Sequence, residues 1–537
     1  MQPLPTPEEM SRWDRAAIER GIPEFTLMEN ASREALHTLL QLVGTVAHRR
    51  ILLFMGGGNN GGDAACLARH LHDAGAETLV LHTRPLKAYR GTAGRHLRLA
   101  KACGVTFASA SGWPERFRAT PWDPSFTGIP NSGPDIVVDG LLGTGFSGTL
   151  RQKELTLVRS INGLASRALI LAIDIPSGLS GLTGQPCPEA VRATATVTFE
   201  AAKPGLVLPQ AAPFTGSLHV RPIGMPRVVR ETLPPSFCLI QKGSDLSVSL
   251  PAPDCHKGTA GSVLIIGGSE GLVGAPHLAA RAALRSGAGL VSIAAPEALC
   301  DAIKANCPDI MTRPLGTPGN RCWTPGLLDD LKSLLASCDT IVLGPGLGRD
   351  TETATFVRNF LLLDRPRTVL DADALHALAA LPAALSSLKS SDVLTPHPGE
   401  AGTLLGLTAA QIQGDRLAAL NSLKALAPSV WVLKGAGTLV GTQGKPSAIC
   451  PLAVPNLAIG GSGDVLAGCL GALLARRQQK TDTWHIACLA VLAHAEAGKQ
   501  LATRFPARGN TASEIAEALP SALATLVDAS AEQLLPF

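Results

Sequence analysis

Several short stretches combine glycine with side chains that offer oxygen donors or exchangeable protons. The first is Gly56-Gly57-Gly58-Asn59-Asn60-Gly61-Gly62-Asp63. Its glycines let backbone approach a ligand closely, and its amides and carboxylate suit a cation, a ribose or an amide group. The opening satisfies G-x-G-x-x-G, but that dinucleotide pattern needs a carboxylate at the end of the next strand to hold the ribose. That strand ends His82-Thr83-Arg84, so an ordinary Rossmann site is not expected here. Asp63 is placed to cap the helix that follows. Two more carboxylates end apolar runs: Asp139, before Gly140-Leu141-Leu142-Gly143-Thr144-Gly145, and Asp174, in Asp174-Ile175-Pro176-Ser177-Gly178. Singly each reads as a turn cap; together in one half of the chain they point to a converging site.

The second half carries Gly460-Gly461-Ser462-Gly463-Asp464 at the opening of a helical pattern, Val465–Arg476. Small residues leave N–H groups free at a helix N-terminus, an anion hole suited to a transferring phosphoryl group. Asp464 is placed to accept the proton of an attacking hydroxyl. A capping role would explain the Asp but not the small residues before it. Lys434-Gly435-Ala436-Gly437-Thr438 ends a strand and can reach a nucleotide phosphate, yet no G-x-x-x-x-G-K-[ST] occurs, which excludes a P-loop enzyme. Pro396-His397-Pro398-Gly399-Glu400 adds a His and a carboxylate, and Gly344-Pro345-Gly346-Leu347-Gly348 is a close-approach loop. Gly267-Gly268-Ser269-Glu270-Gly271 imitates a hydrolase nucleophile elbow, but the next helix is expected only from about Ala275, so the serine lacks the sharp turn it would need. His70, His72 and His494 match no zinc spacing.

Positioning these residues falls to two α/β stretches. In the first, strands are expected at Arg50–Met55, Glu77–Thr83, Asp135–Leu142, Ala168–Ile175 and Ala195–Phe199, with a helix over Asp63–Ala74. In the second they are expected at Ser262–Ile266, Leu290–Ala295, Thr340–Leu343, Thr368–Leu370, Asp392–Leu394 and Val430–Leu433, with helices over Ala275–Ser286 and Gly463–Arg476. Short continuous apolar runs alternating with helices predict mostly parallel sheets covered on both faces, whose ligands bind beyond the carboxyl ends of the strands. Between Arg221 and Asp254 the pattern lapses among Pro222, Pro226, Pro234, Pro235, Pro251 and Pro253, which sets the expected domains at 1–230 and 231–537.

The 537 residues, 45% of them hydrophobic and 17% charged, exclude a disordered chain. A net charge of +4 and 4% aromatics argue against nucleic acid as a partner. The 12 cysteines show no C-x-x-C pair and read as free thiols of a reducing, cytoplasmic compartment. No apolar run is long enough to span a membrane, and MQPLPTPEEM does not open as a signal peptide.

At this point the first half resembles the YjeF N-terminal family of NAD(P)H-hydrate epimerases, through GGGNNGGDA (Gly56–Ala64), DGLLGTG (Asp139–Gly145), DIPSGL (Asp174–Leu179) and TFEAAKPGL (Thr198–Leu206). The second half resembles the ADP- or ATP-dependent NAD(P)H-hydrate dehydratases, through HKGTAGSVLIIGGS (His256–Ser269), ALRSGAGLV (Ala283–Val291), GPGLG (Gly344–Gly348), LDADAL (Leu370–Leu375), LTPHPGE (Leu394–Glu400), VLKGAGT (Val432–Thr438) and GGSGDVLAG (Gly460–Gly468). Leu272 stands where an aromatic is common.

The resemblance implies a Rossmann-like three-layer α/β/α domain followed by a ribokinase-like α/β/α domain. It implies potassium held by Asn60, Asp139 and Ser177, and the hydrated dinucleotide bound by Asn59, Asn60, Gly61, Gly62, Asp63, Gly143, Thr144, Gly145, Phe146, Ser147, Gly148, Thr149 and Asp174. Asp174 is the candidate acid/base of the epimerase. In the second domain Ala260, Gly346, His397 and Asp464 would contact the hydrate, Lys434–Thr438 and Gly463 the adenine nucleotide, and magnesium would accompany ADP or ATP. The expected substrates are small molecules and the expected assembly is a homo-oligomer. The alternatives are a ribokinase-like small-molecule kinase, betrayed by a stable phosphorylated product, and a non-catalytic first domain, which would have lost its acidic residues.

Overall fold

The computed structural model describes residues 1–537 except 112, 114–132, 244–245, 249–250, 306, 477–480 and 528–537. The chain divides into two units, Pro3–Cys238 and Leu239–Phe537 with Met1–Gln2.

The first unit opens with two helices that the strand-and-loop pattern did not suggest, α1 (Pro7–Glu19) and α2 (Glu24–Val43). A capping box starts α1: the Thr6 hydroxyl accepts from the Glu9 N–H while the Glu9 carboxylate accepts from the Thr6 N–H. Then follow β1 (Arg50–Met55), α3 (Asn59–Asp73), β2 (Glu77–His82), α4 (Gly91–Ala102), β3 (Thr106–Ser109), β4 (Ile136–Gly140), α5 (Gln152–Asn162), β5 (Leu169–Ile173), β6 (Ala195–Phe199) and β7 (Ser217–Arg221). The sheet order is β3-β2-β1-β4-β5-β6-β7, parallel throughout. Chain order reverses between β1 and β4, and that switch point is where an open sheet leaves a crevice. Along β1, Ile51, Leu53 and Met55 join the core under α1–α4, while Leu52 and Phe54 join the core on the α5 face. Burial on both faces is why the strand reads as an unbroken apolar run.

The second unit contains β8 (Ser262–Ile266), α6 (Gly274–Arg285), β9 (Leu290–Pro296), β10 (Met311–Leu315), β11 (Thr340–Leu343), β12 (Arg367–Leu370), β13 (Val393–Leu394), α7 (Pro398–Leu405), α8 (Arg416–Leu426), β14 (Val430–Leu433), β15 (Leu439–Gly441), β16 (Ser447–Ile449), α9 (Ser462–Ala475), α10 (Thr483–Arg504) and α11 (Ala512–Ala524). Its strands run β16-β15-β14-β13-β12-β11-β8-β9-β10, parallel except for the β14-β15-β16 meander. Helix α9 lies tight on its neighbours: a Cβ at Gly468 would fall 2.0 Å from the Ala279 carbonyl oxygen of α6, and one at Gly471 2.7 Å from Val342. Helix α6 begins at Gly274, so Ser269 sits in a loop and not at an elbow.

The first part of the proline-rich segment, residues 221–236, is structured. It holds a short helix, Arg227–Thr232, and Ile223, Met225 and Val229 are buried in the first unit's core. The Trp13 indole N–H donates to the Leu233 carbonyl at 2.8 Å, and Ser236 donates to Glu9 through its N–H at 3.0 Å and its hydroxyl at 2.6 Å. We therefore expect a fragment of residues 1–238 to unfold cooperatively in urea. One ending at Arg230 should lose about 2–3 kcal/mol, at ~1 kcal/mol per missing hydrogen bond. Equal stability of the two fragments would show that the segment beyond Arg230 contributes nothing.

Candidate active sites

A cavity of about 1510 Å³ opens at the switch point of the first sheet. That exceeds the ~300–1,000 Å³ of ordinary small-ligand clefts and suits a ligand of dinucleotide size. Asn59, Asn60, Asp63, Gly143, Thr144, Gly145, Phe146, Ser147, Thr149 and Asp174 all line it. Gly61, Gly62 and Gly148 do not. Gly61 and Gly62 serve close packing: a Cβ at Gly61 would lie 2.0 Å from the Gly56 carbonyl oxygen, and one at Gly62 2.8 Å from Met28 and Ala93. Gly56 itself abuts Leu141, whose carbonyl oxygen would be 1.7 Å from a Cβ there. Backbone contact of this kind locks the loops after β1 and β4 together.

Asp63 is not a cap. Helix α3 already begins at Asn59 behind Gly58, so Asp63 lies within the helix and faces the cavity. Burial, then Asp174, Asp14 and Glu24, push its carboxyl well above the ordinary range. Where a Rossmann site has its ribose carboxylate, Arg84 leans over the loop, and a Cβ at Gly57 would meet its Nε at 2.2 Å.

Asp174 sits at the end of β5 with φ of +66°, a conformation that non-glycine residues rarely hold without compensation. Its Oδ1 accepts from Lys203 Nζ at 2.6 Å and Thr198 Oγ1 at 3.3 Å, and its Oδ2 from the Thr144 N–H at 3.1 Å. Lys203 is buried and also bonds Thr198 at 2.8 Å. Nothing in its local sequence marks it, although it stands inside the TFEAAKPGL stretch, because its partner Asp174 lies 29 residues away.

Asn60, Asp139 and Ser177 come together. Asp139, fully buried, accepts from Ser177 Oγ at 2.6 Å, the Ser177 N–H at 2.7 Å and the Leu141 N–H at 3.2 Å. Burial pushes its carboxyl up to about 6 against those bonds. Asn60 Nδ2 donates to the Leu142 carbonyl at 2.8 Å, while Asn60 Oδ1 is buried with no hydrogen-bond partner among the described residues. An orphaned acceptor beside a costly buried carboxylate, among oxygen donors, fits a monovalent cation. Away from the cavity, Glu29, Cys66 and His70 cluster within ligand range. There the Arg69 guanidinium already bonds both Glu29 oxygens, at 2.6 and 2.7 Å, and supplies the positive charge a metal would bring.

In the second unit the ends of β11, β12, β13 and β14 and the start of α9 converge. Lys434 Nζ lies 2.6 Å from Asp371 Oδ1 and 3.7 Å from Glu400 Oε2. Burial alone would lower its pKa, but Asp371 and Glu400 raise it. A Cβ at Gly463, the second residue of α9, would come 3.2 Å from Lys434 Nζ, so the lysine packs closely on the helix start. Asp464 stands in the first turn of α9 with no side-chain bond capping the helix. Burial first, then Asp371, push its carboxyl up to about 7, against Lys434. Glu400 is likewise pushed up to about 7, chiefly by burial. His397 caps α7, its Nδ1 accepting from the Gly399 and Glu400 N–H groups at 3.0 and 3.3 Å, and burial lowers its pKa.

Arg416, unremarked in the sequence, is buried and donates to the carbonyls of Leu433, Lys434 and Gly437, at 3.1, 3.3 and 3.2 Å, fixing the Lys434–Thr438 loop. Ala260 is not brought to the others. It precedes β8, a strand length from the carboxyl-end loops, about 16 Å at ~3.3 Å per residue. The alanine beside Gly346 is Ala275, 3.3 Å from where a Gly346 Cβ would stand.

Two separate groups of proton-transfer residues, each at the strand ends of its own α/β unit, make this a two-site enzyme. A family model described as YjeF-related protein N-terminus matches residues 24–205, and one described as NAD(P)H-hydrate dehydratase matches residues 263–521. The bifunctional NAD(P)H-hydrate repair enzyme Nnr of Moorella thermoacetica is 37% identical over 97% of both chains. That of Pyrobaculum aerophilum is 35% identical over 95% of this chain and 96% of the relative. The ADP/ATP-dependent NAD(P)H-hydrate dehydratase of Bacillus subtilis, co-crystallized with ATP and Mg2+, is 26% identical, with a TM-score of 0.43 over 52% of this chain and 95% of that one. The chain belongs to the family of bifunctional NAD(P)H-hydrate repair enzymes. No helix among the described residues is long and apolar enough to cross a membrane.

The Lys203–Asp174 pair generates a direct test. Lys203→Met leaves a buried carboxylate without its cation and should cost about 3–5 kcal/mol in urea unfolding. Adding Asp174→Asn should recover much of that loss, because the two residues are coupled. Additive losses in the double variant would show that they act independently.

Proposed function

We propose that the two units catalyse successive steps in the repair of hydrated NADH and NADPH. The hydrate carries a hydroxyl on the carbon beside the ring nitrogen. In the first unit the dinucleotide lies in the cavity along Asn59–Asp63 and Gly143–Thr149, and Asp174 exchanges protons with that hydroxyl while the R and S forms interconvert. The rigid grip of Lys203, Thr198 and the Thr144 N–H on Asp174 supports this role, since a proton-transfer group must be held in place. Asn60, Asp139 and Ser177 would hold potassium, the orphaned Asn60 Oδ1 being the feature that favours it. The ion would offset the Asp139 charge and steady the loops against the dinucleotide phosphates.

In the second unit Asp464 takes the proton of the S hydrate's hydroxyl as the oxygen attacks the terminal phosphate of ADP or ATP. The N–H groups at the start of α9 receive the transferring phosphoryl group. Lys434–Thr438 and Gly463 line the nucleotide, and Gly346, His397 and Ala275 the hydrate. Asp371, Asp373, Glu400 and Asp464 outnumber Lys434 and Arg349 around them, which fits magnesium carried in with the nucleotide phosphates. Elimination of the phosphate then restores the reduced nicotinamide, so a kinase-like site ends in a lyase reaction. The observation that carries this reading is Asp464: a carboxyl poised near neutrality, directly inside a helix start built from glycine and serine. The full-length family relationship favours it over a stand-alone kinase or a silent first domain.

Incubation with chemically hydrated NADH and ADP or ATP should release free phosphate and regenerate the near-ultraviolet absorbance of NADH. Asp464→Asn should lower that rate ~100-fold or more and leave epimerisation intact. Because the base must be ionised, wild-type dehydration should rise with pH through about 7 and level off above it. A variant near wild-type rate, or a flat profile, would make Asp464 a structural residue. Replacing potassium by tetramethylammonium should slow epimerisation and spare dehydration. Full epimerisation without potassium would assign Asn60, Asp139 and Ser177 to the fold.

A further inference from the structure

Helix α1 precedes the segment matched by the first family model, residues 24–205, yet it forms a wall of the cavity through Met10, Ser11, Asp14, Arg15 and Ile18. Their spacing places them on one helix face. The opposite side is anchored: Trp13 and Ala17 are buried, and the Trp13 indole is tied to Leu233. Asp14 is thus an acid held rigidly over the strand ends, and among the described residues no hydrogen-bond donor reaches its carboxyl.

Asp14 and Asp174 contrast in a way that separates acid from base. Both Asp174 oxygens already accept hydrogen bonds, from Lys203, Thr198 and Thr144, which fix that carboxylate in place. The groups facing Asp14 are Lys203 and Glu200 from the segment after β6, Asp174 after β5, Glu24 of α2 and Asp63 of α3. Burial first, with this acidic surplus beyond Lys203, pushes Asp14 up to about 6.

Replacing a hydroxyl from the opposite face of a ring carbon needs an acid for the departing oxygen and a base for the arriving water. We infer that Asp14 is the second proton-transfer group of the epimerase site, giving its proton to the departing hydroxyl while Asp174 receives the proton of the incoming water. The inference rests on the epimerase reading of the first unit. The carbon–oxygen bond breaks with its electron pair going to oxygen, which takes the Asp14 proton and leaves as water. The ring nitrogen's lone pair forms the nitrogen–carbon double bond. A water then adds from the other face, its electron pair forms the new carbon–oxygen bond, and its proton passes to Asp174. Exchange with solvent resets both carboxyls, and no oxidant or reductant is needed.

The test uses the full chain, whose dehydratase reports folding and consumes the S form. With a mixture of R and S hydrated NADH, the slow phase after the S form is exhausted measures epimerisation above the enzyme-free background. Asp14→Asn should slow that phase ~100-fold, with the S-dependent phase unchanged and the first unit's hydrate affinity within about twofold. Asp14→Glu should recover part of the rate. Since the acid must keep its proton, wild-type epimerisation should fall as pH rises through about 6, and this limb should vanish in Asp14→Asn. A variant within about threefold of wild type, or one that keeps the limb, would overturn the role of Asp14 alone. A loss of rate matched by an equal loss of hydrate affinity would make Asp14 a binding residue and also overturn it. A wild-type chain without epimerisation would overturn both this role and the epimerase reading.

Discussion

A carboxylate removed from water must be compensated, and both sites are organised around that requirement. In each unit a buried aspartate at a strand end meets a lysine at 2.6 Å: Asp174 with Lys203, and Asp371 with Lys434. Each lysine comes from a different strand end than its aspartate, so the pair forms only when the parallel strands are in register. The pairs then set the charge that neighbouring acids experience. Asp14 and Asp63 in the first unit, and Asp464 and Glu400 in the second, have raised pKa values because burial penalises their charge and neighbouring carboxylates add to it, and the one nearby lysine does not offset both. Buried charge is a poor source of net stability, but it is an effective way to hold several acids near neutrality where proton transfer is needed.

The second constraint is backbone proximity. Gly56 against Leu141 and Gly344 against Asp371 leave no room for a side chain. At Gly344 a φ of +123° adds a conformational demand that other residues rarely meet. These glycines bring the strand-end loops close enough for one ligand to touch several of them. Arg416 does the same work by hydrogen bonding, drawing three carbonyls of the Lys434–Thr438 loop and its strand onto one guanidinium.

Joining two such units in one chain suits their chemistry. A dehydratase selective for one epimer stalls on the other, and an epimerase supplies it. On the proposed reading the first site moves protons and water, whereas the second invests a phosphoryl group to drive elimination, a task that the glycine-and-serine start of α9 and the neighbouring Lys434 suit.

The sequence by itself determined the strands and the loops after them. Arg50–Met55, Ala195–Phe199, Ser262–Ile266, Thr340–Leu343 and Val430–Leu433 were legible to the residue, because strands buried on both faces must be continuously apolar. The oxygen-bearing loops were legible because glycine beside Asn or Asp is costly without a reason. What the sequence did not disclose were residues whose significance is purely spatial. Lys203, Arg416 and Asp14 are ordinary in their local context, and α1 hides among polar residues because only one of its faces is buried. Ala260 and Ala275 were indistinguishable as small residues near a strand, until the sheet put one at its amino edge and the other beside Gly346. Asp63 reads as a cap until the helix is seen to start four residues earlier, at Asn59. Charge pairing, loop closure and the identity of neighbours depend on distances between segments far apart in the chain, and only tertiary structure supplies those.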